Sequence, residues 1–367
     1  MKESKVKYRR EGKKVYIKNP EFHELEYTQK LWSDFDSMED VGRVISFPKE
    51  DWDKFYNKMV NPTDGKNFYC LVYNYDNVPV GEVSFHGYDS ATKTARLNVR
   101  IQNMYRGLGY GREATKLLLE YFFCEFMGSY IVDTVNNNIA KKALESLGFK
   151  NIFTDKKKVA TYRLCRDEFF DNISLSQRKI ALVAYDGIDC LNVNLALSIF
   201  DMLNKILGQD LFEVEIISNK REEAFLFSNI KFNVDKSFKD EIKYDIIIFP
   251  ETKLGNNIAL DKEFLEFVKK SFKNCELVIA IGEGILPLLK SGVLKGLKIK
   301  IPHKYMKHEE YIDLLTDVYI SQSNIIDNGR VFILNGFNGT IKGYLYLAQK
   351  MCGEAAYKKL YQYFFEE

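Results

Sequence analysis

Between residues 106 and 112 the chain reads Arg106-Gly107-Leu108-Gly109-Tyr110-Gly111-Arg112. Glycines let the backbone adopt turns closed to other residues and approach a ligand closely. An amphipathic run follows. The first N–H groups of a helix starting here lack internal partners, and the helix dipole favours negative charge at that end. A pyrophosphate is the natural occupant, with Arg106 and Arg112 adding positive charge on either side. No Gly-Lys-Ser/Thr is present, so this is not a Walker loop, and the glycine spacing is not GxGxxG. Taken alone, the segment reads equally well as a turn that only joins strand to helix. A second corner lies at Leu277-Val278-Ile279-Ala280-Ile281-Gly282-Glu283-Gly284-Ile285-Leu286. It reads as an apolar strand, a sharp turn and a helix start, a form that often presents a nucleophile at the carboxyl edge of a parallel sheet.

Periodicity supplies the elements that must hold these corners. In the first half, residues 14–18 read as a strand, and 21–36 and 48–60 as helices. Three strands follow at 67–76, 79–89 and 94–102, with turn residues between them, which predicts an antiparallel meander. A helix is expected over 109–126, with Ala114, Leu117, Leu118, Tyr121 and Phe122 at helical spacing. A strand at 130–135 and a helix at 138–149 complete this half. The clearest seam lies near residues 170–178. Beyond it strand and helix patterns alternate, the signature of a parallel sheet covered by helices.

Composition bounds the function classes. The 367 residues suit two domains, here 1–172 and 178–367. A net charge of +2 gives no argument for a nucleic-acid or membrane partner. No apolar run reaches the roughly 18 residues of a membrane span. The basic start lacks the apolar stretch of a signal peptide. Six scattered cysteines and four dispersed histidines (His23, His86, His303, His308) form no zinc-type cluster, so no metal is expected. Scattered cysteines without a secretion signal fit a cytoplasmic location.

The first half resembles the GNAT acetyltransferase superfamily over about residues 14–165. Arg106, Gly109 and Gly111 match the family's acetyl-CoA motif, Arg/Gln-x-x-Gly-x-Gly/Ala, after the fourth strand. Asn137, Ala140, Gly148 and Phe149 match a second motif, Asn-x-x-Ala followed by Gly-Phe. The resemblance implies a mixed, mainly antiparallel sheet with helices. It implies that acetyl-CoA lies between splayed strands, its arm held by main-chain groups of Val99 and Ile101. The amides from Gly107 through Leu108, Gly109, Tyr110 and Gly111 to Arg112 would take the pyrophosphate, and Asn137 would touch the arm. An acceptor amine would attack the thioester directly, with a backbone N–H near Val99 stabilising the oxyanion. Many members carry a Tyr seven residues after the Asn as acid to the leaving thiolate; here Leu144 stands there. Glu82 and His86 on the third strand, with Asn98 on the fourth, are the candidate catalytic residues. A solvated face for Glu82 and a satisfied polar role for His86 are the alternatives.

The second half resembles the ThiJ/PfpI family of class I glutamine amidotransferase-like proteins over about residues 178–367. The match runs through KIALVAYDGID, YDIIIFPE, the AIGEG corner, SGVLKG and the tail from residue 328. It implies a flavodoxin-like parallel α/β sandwich and a possible homodimer. The family's corner reads Ala-x-Cys-x-Gly, but Gly282 replaces the Cys. Asn192 stands where an acidic residue is usual, and Pro250-Glu251-Thr252 replaces Pro-Gly-Gly. With no thiol at 282 there is no attacking atom of the family kind. The expectation is an acetyl-CoA-dependent N-acyltransferase joined to a pseudoenzyme domain. Two alternatives stay open: a non-catalytic acyl-CoA-responsive module, and a hydrolase or glyoxalase-like site built from Cys190 or Glu283 with His303.

Overall fold

The three strands expected over 67–102 do form a meander in the computed structural model of the chain. It describes residues 8–62, 64–172, 175–185, 187–218, 223–225, 231–240, 242–252, 262–307 and 309–366. His308, and residues 173 and 174 of the seam, lie outside these. The chain divides into two units, Met1–Leu175 and Ser176–Glu367.

The first unit opens with a hairpin, β1 (Arg9–Glu11) and β2 (Val15–Lys18), followed by α1 (Leu25–Ser33) and the short α2 (Trp52–Phe55). The helix expected over 21–36 stops at Ser33, and the next stretch contains Gly42 at φ +70° and Pro48, both poor helix residues. The meander is β3 (Phe68–Asn74), β4 (Pro79–Asp89) and β5 (Thr94–Ile101). Then come α3 (Tyr110–Glu120), extended by a wider turn to Glu125, β6 (Tyr130–Val135) and α4 (Asn138–Glu145). Gly148, at φ +82°, follows α4 and cuts the expected 138–149 helix short. β7 (Lys150–Thr154), β8 (Ala160–Cys165) and α5 (Arg166–Asn172) end the unit. The sheet order is β1-β2-β3-β4-β5-β6-β8-β7. α3 buries Ala114, Leu117 and Leu118 and packs on β2, β4 and β5. β1 and β7 were not anticipated: the first is three residues long, and the second is an exposed edge strand without alternation in burial.

One pairing departs from the antiparallel rule. β5 and β6 run parallel and share three rungs: Thr94–Tyr130, Ala95–Ile131 and Arg96–Val132. Beyond them the strands part, while β4 follows β5 as far as Gly81–Ile101. One edge of β5 is therefore open from Leu97 to Ile101.

The second unit contains β9 (Arg178–Val183), α6 (Cys190–Leu207), β10 (Phe212–Ser218), the small strands β11 (Glu223–Phe225), β12 (Lys231–Asn233) and β13 (Lys236–Ser237), and β14 (Ile246–Phe249). α7 (Lys262–Asn274), β15 (Leu277–Ile281), α8 (Ile285–Lys290), β16 (Lys298–Ile299), α9 (His303–Met306) and α10 (Glu309–Leu315) follow. The chain ends with β17 (Tyr319–Ile320), β18 (Ile325–Asp327), β19 (Val331–Leu334) and α11 (Phe337–Phe365). The main sheet runs β13-β10-β9-β14-β15-β19-β18. Its core, β10-β9-β14-β15-β19, is parallel in the 2-1-3-4-5 order of flavodoxin-like folds. Among the described residues α6 is a helix long and apolar enough to cross a membrane. In the fold it is a core helix: Phe200 packs on Phe212 of β10 and Tyr344 of α11.

Candidate active site

Where β5 and β6 part, a cavity of about 480 Å³ opens between them, α3 and α4. Nine of the ten residues that the sequence assigns to the carrier line it: Val99, Ile101, Arg106, Gly107, Gly109, Tyr110, Gly111, Arg112 and Asn137. Strand alternation explains the first two. Gln102 donates its N–H to Val80 O on the β4 side (2.9 Å), so the main-chain groups of Val99 and Ile101 face the open edge. The Ile101 carbonyl already accepts from Arg106 Nε (3.3 Å).

The glycine corner bends because it must. Gly107 and Gly109 sit at φ +81° and +84°, and Gly109 is the N-cap of α3. Side chains rarely adopt that conformation. Gly111 lets the helix approach β5: a Cβ there would stand 3.2 Å from Ile101 Cγ1. Leu108 is outside the cavity wall, exposed, with its carbonyl accepting from Lys14 Nζ (3.0 Å).

The two arginines do more than flank an anion. Arg106 Nη2 donates to Ser37 O (2.9 Å) and pins the loop after α1. Arg112 donates to Ser146 Oγ and Ser146 O (3.1 and 3.2 Å), tying α3 to the end of α4. A third cation, which sequence reasoning missed, lies beside the corner. The Glu113 carboxylate accepts the N–H groups of Lys13, Lys14 and Val15 (2.8, 2.6 and 3.0 Å). That clamp holds the β1–β2 turn against α3, and Lys14 Nζ lies 3.2 Å from where a Cβ on Gly109 would stand. No local pattern could reveal this, because 94 residues separate Lys14 from Leu108.

Asn137 is the N-cap of α4; its Oδ1 accepts the Ala140 N–H (2.7 Å). Leu144 lines the same cavity and is buried. Asp133, also missed, is another wall residue. Burial pushes its carboxyl up to about 6, against a smaller lowering by the Thr134 N–H it accepts (2.7 Å).

Glu82 is not on a solvated face. Its carboxylate is fully buried and accepts from Arg100 Nη1 (2.6 Å), Tyr69 OH (2.7 Å), Trp32 Nε1 (3.0 and 3.1 Å) and Asn98 Nδ2 (3.3 Å). Burial and the nearby Glu82 charge raise the Tyr69 hydroxyl, so it stays a donor. The structure thus brings Glu82 and Asn98 together, in a closed network that joins α1 to β3, β4 and β5. His86, half-buried opposite Arg96, stands further along the same face; burial, then Arg96 and Lys58, lower its pKa.

In the second unit Gly282 takes φ +52° directly after β15. A Cβ there would stand 2.8 Å from Glu251 Cδ, so the Glu251 side chain fills the space beside the corner. Asn192 is buried and donates to Asp189 Oδ2 (2.8 Å). Glu283 is buried and pairs with Lys304 Nζ (2.5 Å) rather than with His303, which is exposed. Cys190 opens α6 and is half-buried. Among the described residues no group of three or more His, Cys, Asp or Glu could hold a metal ion.

The acetyltransferase (GNAT) domain profile matches residues 15–150, and the DJ-1/PfpI family profile matches residues 178–321. No curated protein matches the sequence. Solved structures similar to this chain include DJ-1beta from Drosophila melanogaster (15% identity, 53% of this chain and 100% of that one, TM-score 0.44). A mutant DJ-1 superfamily protein from Salmonella typhimurium is similar at 15% identity over 52% and 100%, TM-score 0.43. An acetyltransferase (GNAT family) from Bacillus anthracis is similar at 23% identity over 44% and 99%, TM-score 0.37. The chain therefore joins a GNAT acetyltransferase domain, residues 15–150, to a DJ-1/PfpI family domain, residues 178–321.

Proposed function

We propose that the first unit is an acetyl-CoA-dependent N-acetyltransferase acting on an amine. The observation that carries this reading is the strand edge open from Leu97 to Ile101, which ends at a glycine corner on a helix N-terminus. The pyrophosphate meets amides of the corner, and the pantetheine arm lies against Val99 and Ile101 as an added strand. The amine nitrogen attacks the thioester carbonyl directly. The Val99 N–H, on the open edge, stabilises the oxyanion. Members of the GNAT family use acetyl-CoA in this way, and the residues present fit it.

The second unit lacks a nucleophile of its family's kind in this reading. Glycine stands at 282, and the Glu251 side chain crowds the position. Its role is ligand binding or pairing of two chains.

Calorimetric titration of acetyl-CoA into the full chain tests the transferase. Saturable binding is expected, and Gly109→Trp abolishes it while the far-ultraviolet circular dichroism is unchanged. No heat of binding at millimolar acetyl-CoA removes the proposal. The apolar Leu144 and the sealed Glu82 favour a second reading, a module that binds acyl-CoA without turnover. Acetylation of any amine in a panel excludes it.

A further inference from the structure

Asp133 is out of place as a structural residue. A half-buried carboxylate ordinarily gains a cation or several donors in return for lost hydration. Among the described residues its hydrogen bond is to the adjacent Thr134 N–H, and no ion pair is present. Its position is specific. It is the first β6 residue beyond the Arg96–Val132 rung, at the apex of the splay, and it lies on the same face of β6 as the core residue Ile131. Leu144 stands in the same cavity and has no acidic proton to transfer.

This inference rests on the carrier reading above. A carrier whose pyrophosphate sits at the glycine corner, and whose arm follows β5 back from Ile101, brings its sulfur to the apex. We infer that Asp133 is the catalytic acid that protonates the departing thiolate. The amine lone pair forms the N–C bond, the C–S bond breaks, and its electron pair leaves on sulfur. The Asp133 carboxylic acid transfers its proton to that sulfur and becomes a carboxylate. The surplus ammonium proton goes to solvent, and the carboxylate regains a proton from water after the thiol leaves.

The ionisable groups around Asp133 are few. Tyr105, Arg106, Tyr110 and Arg112 lie on the cavity wall, and Tyr162 pairs with Asp133 across β8, with its hydroxyl donating to Glu145 of α4 (2.7 Å). Burial, not any of these charges, is the cause of the raised carboxyl. A seated carrier excludes more water and carries it further in the same direction.

The test titrates the thiol of CoA bound to the full chain, followed by thiolate absorbance, in wild type, Asp133→Asn and Asp133→Glu. All three are expected to bind CoA within about threefold of one another. The bound thiol is expected to titrate at least one pH unit higher in wild type than in Asp133→Asn, because a carboxylate beside sulfur opposes the thiolate. Asp133→Glu restores most of the difference. With hydroxylamine as acceptor, Asp133→Asn is expected to lower kcat at least tenfold with KM for acetyl-CoA within twofold, and to remove the alkaline fall of the wild-type pH profile. Equal thiol titrations in wild type and Asp133→Asn, with both binding CoA, overturn the inference and leave the carrier site standing. Failure of wild type to bind CoA overturns the carrier reading itself.

Discussion

The buried Glu82 and the half-buried Asp133 have surroundings that set opposite outcomes. Glu82 is matched by Arg100 and three neutral donors, so its charge is compensated. Glu82→Gln leaves the Arg100 guanidinium unpaired in a closed site. Breaking such a pair costs about 3–5 kcal/mol. At roughly 2–4 °C per kcal/mol for a unit of this size, the expected loss is about 10 °C in Tm by thermal denaturation. Asp133 is not matched. Its folded pKa of about 6 stands above the ordinary 3.8, so the folded unit binds a proton that the unfolded chain has released between those values. Stability from this group is therefore present below about pH 4 and lost as pH rises through 6. Asp133→Asn is expected to raise stability at pH 7 by up to about 3 kcal/mol, at about 1.4 kcal/mol for each pH unit. The gain should vanish near pH 4, as read from urea melts at both pH values. Lys14 acts at longer range. Lys14→Ala is expected to weaken CoA binding about tenfold at low salt, equivalent to about 1.4 kcal/mol. The deficit shrinks in high salt, because an exposed cation is screened. Calorimetry at two ionic strengths reads both effects.

At the scale of elements, two glycine corners are built differently. In the first, Gly107 and Gly109 have positive φ and open space around most of the turn, which leaves amides accessible. In the second, the backbone is closed in. A Cβ on Gly284 would stand 2.1 Å from Phe249 O and 2.6 Å from Pro250 O, which are main-chain atoms of the neighbouring strand end. Gly284→Ala must push β14 and β15 apart, at a cost of about 3 kcal/mol by the usual range for overpacking. Gly282→Cys is milder. It meets a flexible Glu251 side chain and a left-handed backbone worth about 1–2 kcal/mol. Adding Glu251→Ala should recover part of the loss, leaving the backbone share, in a double-mutant comparison of unfolding midpoints. The strong elements were legible in the sequence. β3, β4 and β5 are strand-forming runs bounded by turn residues, and α3 has a helical period, so local pattern and tertiary environment agree. The segment after α1 was not, because its irregular turns are held by distant groups, including Arg106 on Ser37 O and the Ser37 hydroxyl on the Asn103 N–H (2.9 Å).

For the whole molecule, each unit has its own sheet and its own buried core. A ligand bound by one unit therefore acts first on that unit's unfolding. Acetyl-CoA at 100 times its Kd stabilises its binder by about 2.7 kcal/mol. The expected calorimetric record is an upward shift of one transition, and the same shift should be absent in Gly109→Trp. The sequence alone determined the main strands and helices of the first unit, the position of the glycine corner before α3, and the absence of a thiol at residue 282. These are properties of neighbours along the chain, where backbone preference and side-chain period decide. Only the tertiary structure decided that β5 and β6 part after three rungs, that Glu82 is enclosed by four side chains, that Lys14 reaches the corner, and that Asp133 stands at the apex. Each of these depends on groups from distant parts of the chain sharing one dry or half-dry space, and burial and charge there follow from packing.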